Sequence, residues 1–264
     1  MRVARFLFLV SISFALSISL AAQQTAMSSP QAMQLLQQSL NTLAGGQTLS
    51  DVTLSGTARR IAGSDDESGT TVLKALAAGA SRVDLSLPSG PRSEVRNLSE
   101  AAPAGTWSGP DGVSHAMAFH NLQTEPAWFS PAIAITRVLS SSSYIATYIG
   151  QETRNSATVQ HVALYQQSPA SGNTAPLLQH LTQIDLYLDF STLLPAAITF
   201  AIHPDNNALL DIPVEVRFSD YRAVNVAQVP FRVQQFVNNS LFLDFQAQSA
   251  TINTGLAAST FSVE

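Results

Sequence analysis

The chain has 264 residues, of which 13 are lysine or arginine and 18 are aspartate or glutamate, so only 12% are charged, against about 25% in an ordinary soluble domain. The absence of cysteine excludes disulfides, thiolate metal sites, iron–sulfur clusters, a catalytic thiol and a lipid-modified cysteine. The single lysine, Lys74, lies outside any glycine-rich loop, so the sequence has no phosphate-binding P-loop. The length is sufficient for one large hydrophobic core.

The N-terminus has the three-part pattern of a secretory signal peptide. Arg2 and Arg5 precede an apolar run at 6–20, and Ala21 and Ala22 follow it. Because a membrane span needs about 20 apolar residues, we expect cleavage after Ala22 rather than retention as an anchor. Removal of the two arginines leaves 11 basic and 18 acidic residues, a net charge of −7. Such an acidic chain argues against binding to nucleic acid or to an anionic membrane surface.

The first element predicted after the signal is an amphipathic helix. Ser29 is the predicted N-cap, Pro30 the first helical residue, and Gly45 and Gly46 the stop. The polar face of this helix is uncharged, so its apolar stripe must pack on another element. The stripe consists of Met33, Leu36, Leu40 and Leu43.

From Asp51 the pattern changes to the period of two that is typical of strands. Apolar residues alternate with polar ones at 52–58 and again at 83–87. The acidic segment 65–69 is predicted to be a solvated turn, and 92–96 a weakly apolar strand at a sheet edge. These segments predict an antiparallel meander rather than βαβ units.

Ser130 and Pro131 predict the start of a second, central helix, which ends in the serine run at 140–143. Asn238 and Asn239 predict a two-residue hairpin, because asparagine tolerates positive φ. The segment 168–179 is predicted to be a long polar loop. Further strands are predicted at 144–152, 158–166, 184–190, 197–202, 214–221, 231–237 and 241–248.

The polar residues form no strong catalytic or metal-binding motif, and we expect no metal and no cofactor. A Gly-x-Ser-x-Gly nucleophile elbow is missing. His115 and His120 lack the spacing of a metal site, so surface or packed imidazoles are the simpler interpretation. Asp185 and Asp189 lie on one face of a predicted strand and could form an acid–base pair, although a solvated strand face explains them more simply.

Large apolar residues near the middle of the chain are the remaining candidates for a binding site. Tyr144 and Tyr148, for example, are four residues apart in a strand and therefore on one face. Core packing is the simpler explanation for such residues, and the wall of an apolar ligand pocket is the functional one. The candidate ligand-binding residues are Trp107, Phe119, Trp128, Phe129, Ile133, Leu139, Tyr144 and Tyr148.

The C-terminal part has a recognisable order of features. A tyrosine, Tyr221, is followed by a short turn, a strand led by Pro230, the asparagine hairpin, and a closing Asn253 and Phe261. The segment 187–195 adds an aspartate before a turn and a proline at the start of the next strand. Together with the order of helices and strands, this pattern resembles the LolA/LolB-like superfamily of exported bacterial proteins, which includes lipoprotein carriers and MucB/RseB-related proteins.

The resemblance implies an α+β fold in which a curved antiparallel sheet, an incomplete β-barrel, is covered by the N-terminal and central helices. It implies a single half-barrel domain at 23–264 after the signal peptide at 1–22. The known carriers have an arginine beside a proline early in the sheet. Here the segment 79–82 contains Arg82 but no proline, so that role is not transferred to Arg82.

We therefore expect a non-enzymatic periplasmic protein that carries or binds a lipid or lipoprotein acyl chain in an apolar concave cavity. The alternative is a periplasmic interaction module or envelope-stress sensor that binds a peptide of an envelope protein. An enzyme ranks last, because no nucleophile, base pair or metal cluster emerges from the sequence. For either of these functions we expect an exported protein without a lipid anchor and without a membrane segment after the signal peptide.

Overall fold

The structure, a computed structural model, describes residues 27–98, 103–167 and 174–263. The predicted signal peptide at 1–22 lies outside these residues. Within them, no helix combines the length and the hydrophobicity that crossing a membrane requires.

Strands make up most of the described chain, and a few short helices connect or cover them. The helices are α1 (Pro30–Ala44), α2 (Phe119–Leu122), α3 (Pro131–Ser140) and α4 (Thr174–Leu181), followed by a 3₁₀ helix at Ala258–Phe261. The strands are β1 (Asp51–Ala62), β2 (Asp65–Leu76), β3 (Ala80–Leu87), β4 (Gly90–Asn97), β5 (Ala104–Ser108), β6 (Ser114–Ala116), β7 (Tyr144–Arg154), β8 (Ala157–Gln166), β9 (Ile184–Asp189), β10 (Pro195–Ile202), β11 (Ile212–Val224), β12 (Ala227–Val237) and β13 (Ser240–Ile252).

The strands form one antiparallel sheet in the order β6-β5-β4-β3-β2-β1-β13-β12-β11-β10-β9-β8-β7. Each neighbouring pair is consecutive in sequence except β1 and β13, which pair with Val52 opposite Ile252. This one long-range pairing joins two meanders into a curved sheet whose ends, β6 and β7, do not meet. The predicted α+β fold with an incomplete barrel is confirmed.

Helix α1 follows the predicted signals closely. The Ser29 side chain accepts a hydrogen bond from the Ala32 amide at 3.1 Å, and Gly45 ends the helix in the left-handed region at φ 60°. Leu36 and Leu43 are fully buried against the concave face, where α1 packs on α3, β7 and β12. The helix thus closes part of the open side of the half-barrel.

Helix α3 covers one end of the concave face. Ile133, in α3, faces Val52, Val229 and Ile252 across a gap of only about 10 Å³, too small for a ligand. The core therefore fills this end completely.

Three expectations about local structure were wrong. The turn precedes the acidic run, at 63–64, and Asp66 lies in β2, where the Arg59 side chain on β1 binds it at 2.7 Å. Residues 174–179 of the predicted polar loop belong to α4.

Strand β4 also differs from the expectation, because it lies between β3 and β5 rather than at a sheet edge. Its outer face is apolar at Val95, which packs with Ala80 and Phe261. Its charged residues point to the inner face instead. The sequence alone suggests an edge strand because it does not show that this face turns inward.

Candidate functional site

The end of the concave face that α3 leaves uncovered contains a cleft of about 430 Å³. Strand β1 connects the two ends, running from Val52 beneath α3 to Arg60 in the cleft. The walls come from two parts of the sheet, β3 to β5 on one side and β10 to β13 on the other. The apolar lining residues are Val83, Leu85, Trp107, Trp128, Phe200, Ile202, Val237, Phe242 and Leu243.

Local sequence patterns place these side chains. The inward positions of β1 continue with a period of two from Val52 to Arg60. Across the sheet, Val83 on β3 lies opposite Glu94 on β4, which in turn lies opposite Trp107 on β5. The cleft is therefore built from directly opposed residues on one face of the sheet.

Arg60 and Arg92 enter this apolar site. Among the described residues, neither has an ion-pair partner within 4.0 Å. Arg60 Nη1 and Arg92 Nε are buried and have no hydrogen-bond partner. Burial and the positive charge of Arg92 lower the pKa of Arg60, although Asp65 and Glu67 act in the opposite direction. The contacts of the two guanidinium groups therefore do not fully compensate for the water that they lose on burial.

A third arginine of the cleft is fully engaged in the structure. Arg96 donates to Glu94 at 2.8 Å and to the Asn121 carbonyl oxygen at 3.1 Å, and it also contacts the Thr124 hydroxyl. Its side chain is only 8% exposed. Arg96 therefore fixes α2 and the residues just after it to β4, whereas Arg60 and Arg92 keep unsatisfied donors.

Two further cavities are more polar or more open. A depression of about 460 Å³ lies between the start of α1 and the end of α3, lined by Met33, Leu139 and Tyr144. A cavity of about 390 Å³ is lined mainly by polar residues of the β9 to β11 region, such as Asp185 and Glu215. Neither offers the continuous apolar wall of the cleft.

His180, His203 and Asp211 place one possible metal-donor atom each within 4.8 Å of one another. The two Nε2 atoms lie 3.1 and 3.0 Å from the same Asp211 oxygen, Oδ1. Because His203 already hydrogen-bonds to this carboxylate and His180 lies within ion-pair distance of it, we interpret the group as a polar cluster between α4 and the loop after β10. Burial, together with His180 and His120, lowers the pKa of His203, which favours the neutral imidazole.

The eight predicted ligand-binding residues lie in different places. Trp107 and Trp128 line the cleft, and Phe129 packs edge-on against Trp128 with ring centroids 5.4 Å apart. Phe119 is 66% exposed on α2. Only some of the residues that the sequence grouped together therefore lie at one site.

The other four members lie in α3 and on β7. Ile133 is buried at the closed end, and Leu139 and Tyr144 line the open depression. Tyr148 is half-buried and donates to the Gln160 side chain at 2.6 Å. These positions are consistent with core packing and one shallow surface site.

The polar candidates have structural contacts of their own. His115 stacks on Trp107 at 4.4 Å between ring centroids. Asp185 pairs with His161 at 2.8 Å, while Asp189 accepts hydrogen bonds from the amides of Ser191 and Thr192. The two aspartates therefore serve separate local contacts and do not act as a pair.

Sequence reasoning missed the arginines and most of the aliphatic wall of the cleft. One signal was available: the alternation that begins at Val52 reaches Arg60 in the inward register, and Arg92 shares a face with Glu94 and Arg96. Charged positions in a strand normally face solvent, however. The β1–β13 pairing and the curvature of the sheet, which turn those positions inward, are not local in sequence.

Comparison with known proteins gives a fold but no sequence family. No protein-family model matches the sequence, and no curated protein matches it. Among solved structures, one described as an outer membrane lipoprotein-sorting protein domain from Vibrio parahaemolyticus has a TM-score of 0.54 at 12% identity, over 88% of this chain and 96% of that chain. A LolA superfamily protein from Nitrosomonas europaea has a TM-score of 0.53 at 10% identity, over 88% and 97%.

The chain has the LolA-like fold. A DUF1329 family protein from Desulfovibrio piger shares it, with a TM-score of 0.52 at 10% identity over 88% of this chain and 97% of that chain. The residues that carried the resemblance in sequence stabilise this fold and do not line the cleft. Tyr221 donates to the Pro195 carbonyl oxygen at 2.8 Å, and Asn253, at φ 54°, binds the backbone of Thr48 and Ser50.

Proposed function

We propose that the protein is a non-enzymatic carrier or binding protein for a lipid or lipoprotein acyl chain. The observation that carries the proposal is the apolar cleft of about 430 Å³ at the uncovered end of the half-barrel, a volume within the usual 300–1,000 Å³ or so of ligand pockets. The signal-like N-terminus supports an exported, periplasmic protein whose mature chain, 23–264, is one half-barrel domain. The lipoprotein-sorting description of one protein with this fold agrees with that role.

The apolar surface of the cleft is sufficient to retain an acyl chain without a covalent bond. Each buried methylene contributes about 0.8 kcal/mol, so ten of them contribute about 8 kcal/mol, which corresponds to a dissociation constant of about 1 μM. Ordering the chain reduces this gain. We therefore expect micromolar or weaker binding, which suits a carrier that must also release its cargo.

The direct test is to identify what the protein contains when it is isolated. The full chain, with its own N-terminus, is expressed in a bacterial host and purified from the periplasm without detergent. Lipid extraction and mass spectrometry should recover an acyl-chain lipid in stoichiometric amount, and the intact mass should show a chain that begins at Gln23. An empty protein that also fails to bind added palmitate would refute the proposal.

A variant that fills the cleft separates this site from the depression beside α3. Val83 is 7% exposed and its side chain faces the cleft, so Val83→Phe should reduce palmitate binding about tenfold or more by occupying space. Val83→Ile is the matched control because it changes the volume little. The proposal fails for this site if Val83→Phe remains folded and binds palmitate as the wild type does.

A further inference from the structure

We infer that Arg60 and Arg92 bind the anionic headgroup of the lipid, so that the cleft selects amphiphiles with a carboxylate or phosphate at one end. This inference rests on the proposed function and names its ligand class. It is independent of which acyl chain is carried.

The first support is the pair of unsatisfied donors inside the cleft. Arg60 Nη1 and Arg92 Nε are buried without a hydrogen-bond partner, and leaving such a donor unpaired costs free energy. Arg92 has one side-chain contact, from Nη2 to the Ser89 hydroxyl at 3.2 Å. Arg60 lies over the Phe242 ring at 5.4 Å. A bound anion would satisfy both guanidinium groups at once.

The second support is the arrangement of charge around the two arginines. Asp65 and Glu67 attract Arg60 from β2, but neither forms an ion pair with it within 4.0 Å in the described part of the chain, and the Glu67 carboxylate accepts from the Ser89 amide at 3.0 Å. Glu94 is engaged by Arg96. The positive charge of Arg60 and Arg92 is therefore available to a ligand, in a chain that is otherwise acidic.

The third support is the contrast with two arginines of the same sheet that lie outside the cleft. Arg59, next to Arg60 on β1, is paired with Asp66 outside the cleft. Arg82, on β3, is paired with Asp84 at 2.8 Å. Arg59 and Arg82, outside the cleft, thus have carboxylate partners, whereas Arg60 and Arg92 do not. Arg96, also in the cleft, uses Glu94 as its partner.

Palmitate and its uncharged methyl ester test the inference, because they share one acyl chain. The wild type should bind palmitate at least about tenfold more tightly than methyl palmitate, since hydrogen bonds to charged groups are strong. Arg60→Gln and Arg92→Gln should each remove most of that preference and leave the affinity for the ester within about twofold. Arg60→Lys and Arg92→Lys should retain part of the preference. Arg59→Gln, the matched control, should retain all of it.

The outcomes separate this inference from the proposed function. Equal affinity of the wild type for palmitate and the ester overturns the headgroup site but leaves the acyl carrier intact. Loss of the preference in Arg59→Gln to the same extent as in Arg60→Gln also overturns it, because net charge would then explain the effect. Displacement of palmitate by inorganic phosphate at equal concentration would indicate a free-anion site instead. Failure of both amphiphiles to bind overturns both proposals.

Discussion

Arg60 on β1 and Arg92 on β4 face the same cleft, although three strand-to-strand steps separate them in the sheet. In a flat sheet these steps would place the two strands about 14 Å apart. The curvature of the half-barrel brings the side chains close enough for the charge of Arg92 to lower the pKa of Arg60. The fold therefore concentrates two like charges against an apolar wall, which is costly unless a ligand compensates it.

Tryptophan emission should report directly on the cleft, because both tryptophans of the chain line it. Trp128 is 6% exposed and Trp107 is 43% exposed, so Trp107→Phe should emit at shorter wavelength than Trp128→Phe. Palmitate should shift the emission of Trp128→Phe to the blue, since the ligand displaces water from Trp107. If palmitate binds by mass spectrometry without shifting this emission, the acyl chain lies elsewhere.

The ion pair between Glu125 and Arg137 should be a large contributor to stability. The two side chains are 2.7 Å apart, Glu125 is fully buried, and its other oxygen accepts from the Ala127 amide at 2.9 Å. Burial alone would lower the pKa of Arg137, but Glu125 raises it above its usual value. Arg137→Met should cost about 3–5 kcal/mol in the free energy of unfolding, because it leaves a buried charge uncompensated.

The double variant Glu125→Gln with Arg137→Met is the control for that prediction. Removal of both charges should recover part of the lost stability in urea unfolding. A single variant Arg137→Met that unfolds like the wild type would mean that water reaches Glu125 and that the pair does not anchor α3.

Stability should fall as the pH is lowered from 7.5 to 5.5, with His203 as one contributor. The folded-state pKa of His203 is lowered from its ordinary value near 6.5, chiefly by burial, with His180 and His120 acting in the same direction and Asp211 against it. The unfolded state therefore binds more protons as the pH falls through that value, and the free energy of unfolding decreases.

Urea unfolding at the two pH values, with EDTA present so that metal binding cannot contribute, measures this effect. His203→Gln should reduce the pH dependence, whereas His115→Gln, at an exposed position on β6, should leave it unchanged. An identical slope in the wild type and in His203→Gln would show that other groups account for the acid sensitivity.

Local signals in the sequence were enough for the elements that form from local interactions. Ser29 and Gly45 cap α1 as expected, and Asn238 and Asn239 take the positive φ angles of 49° and 61° that the hairpin requires. The β1–β13 pairing has no such signal, because it joins Val52 to Ile252 across most of the chain.

The candidate site was less predictable than the fold for the same physical reason. Trp107 and Trp128 were identified as large apolar side chains, but their partners across the cleft, such as Phe242 and Leu243, lie on strands that are remote in sequence. The charges at 92–96 predict an edge strand, because charged residues are rarely buried. Only the curvature of the complete sheet turns that strand face inward.

Phe261, which is part of the family resemblance, is fully buried behind β3 and β4. It packs with Ala80 and Val95 on the face of the sheet opposite the cleft, so Phe261→Ala should cost about 3–5 kcal/mol through the cavity it leaves. Phe119→Ala removes the same side chain from a position that is 66% exposed and should change stability by no more than about 0.5 kcal/mol. Thermal and urea unfolding of the two variants measure the difference. If Phe261→Ala lost as little stability as Phe119→Ala, the C-terminal segment would not pack on the sheet in solution, and β4 would be held only by its strand neighbours.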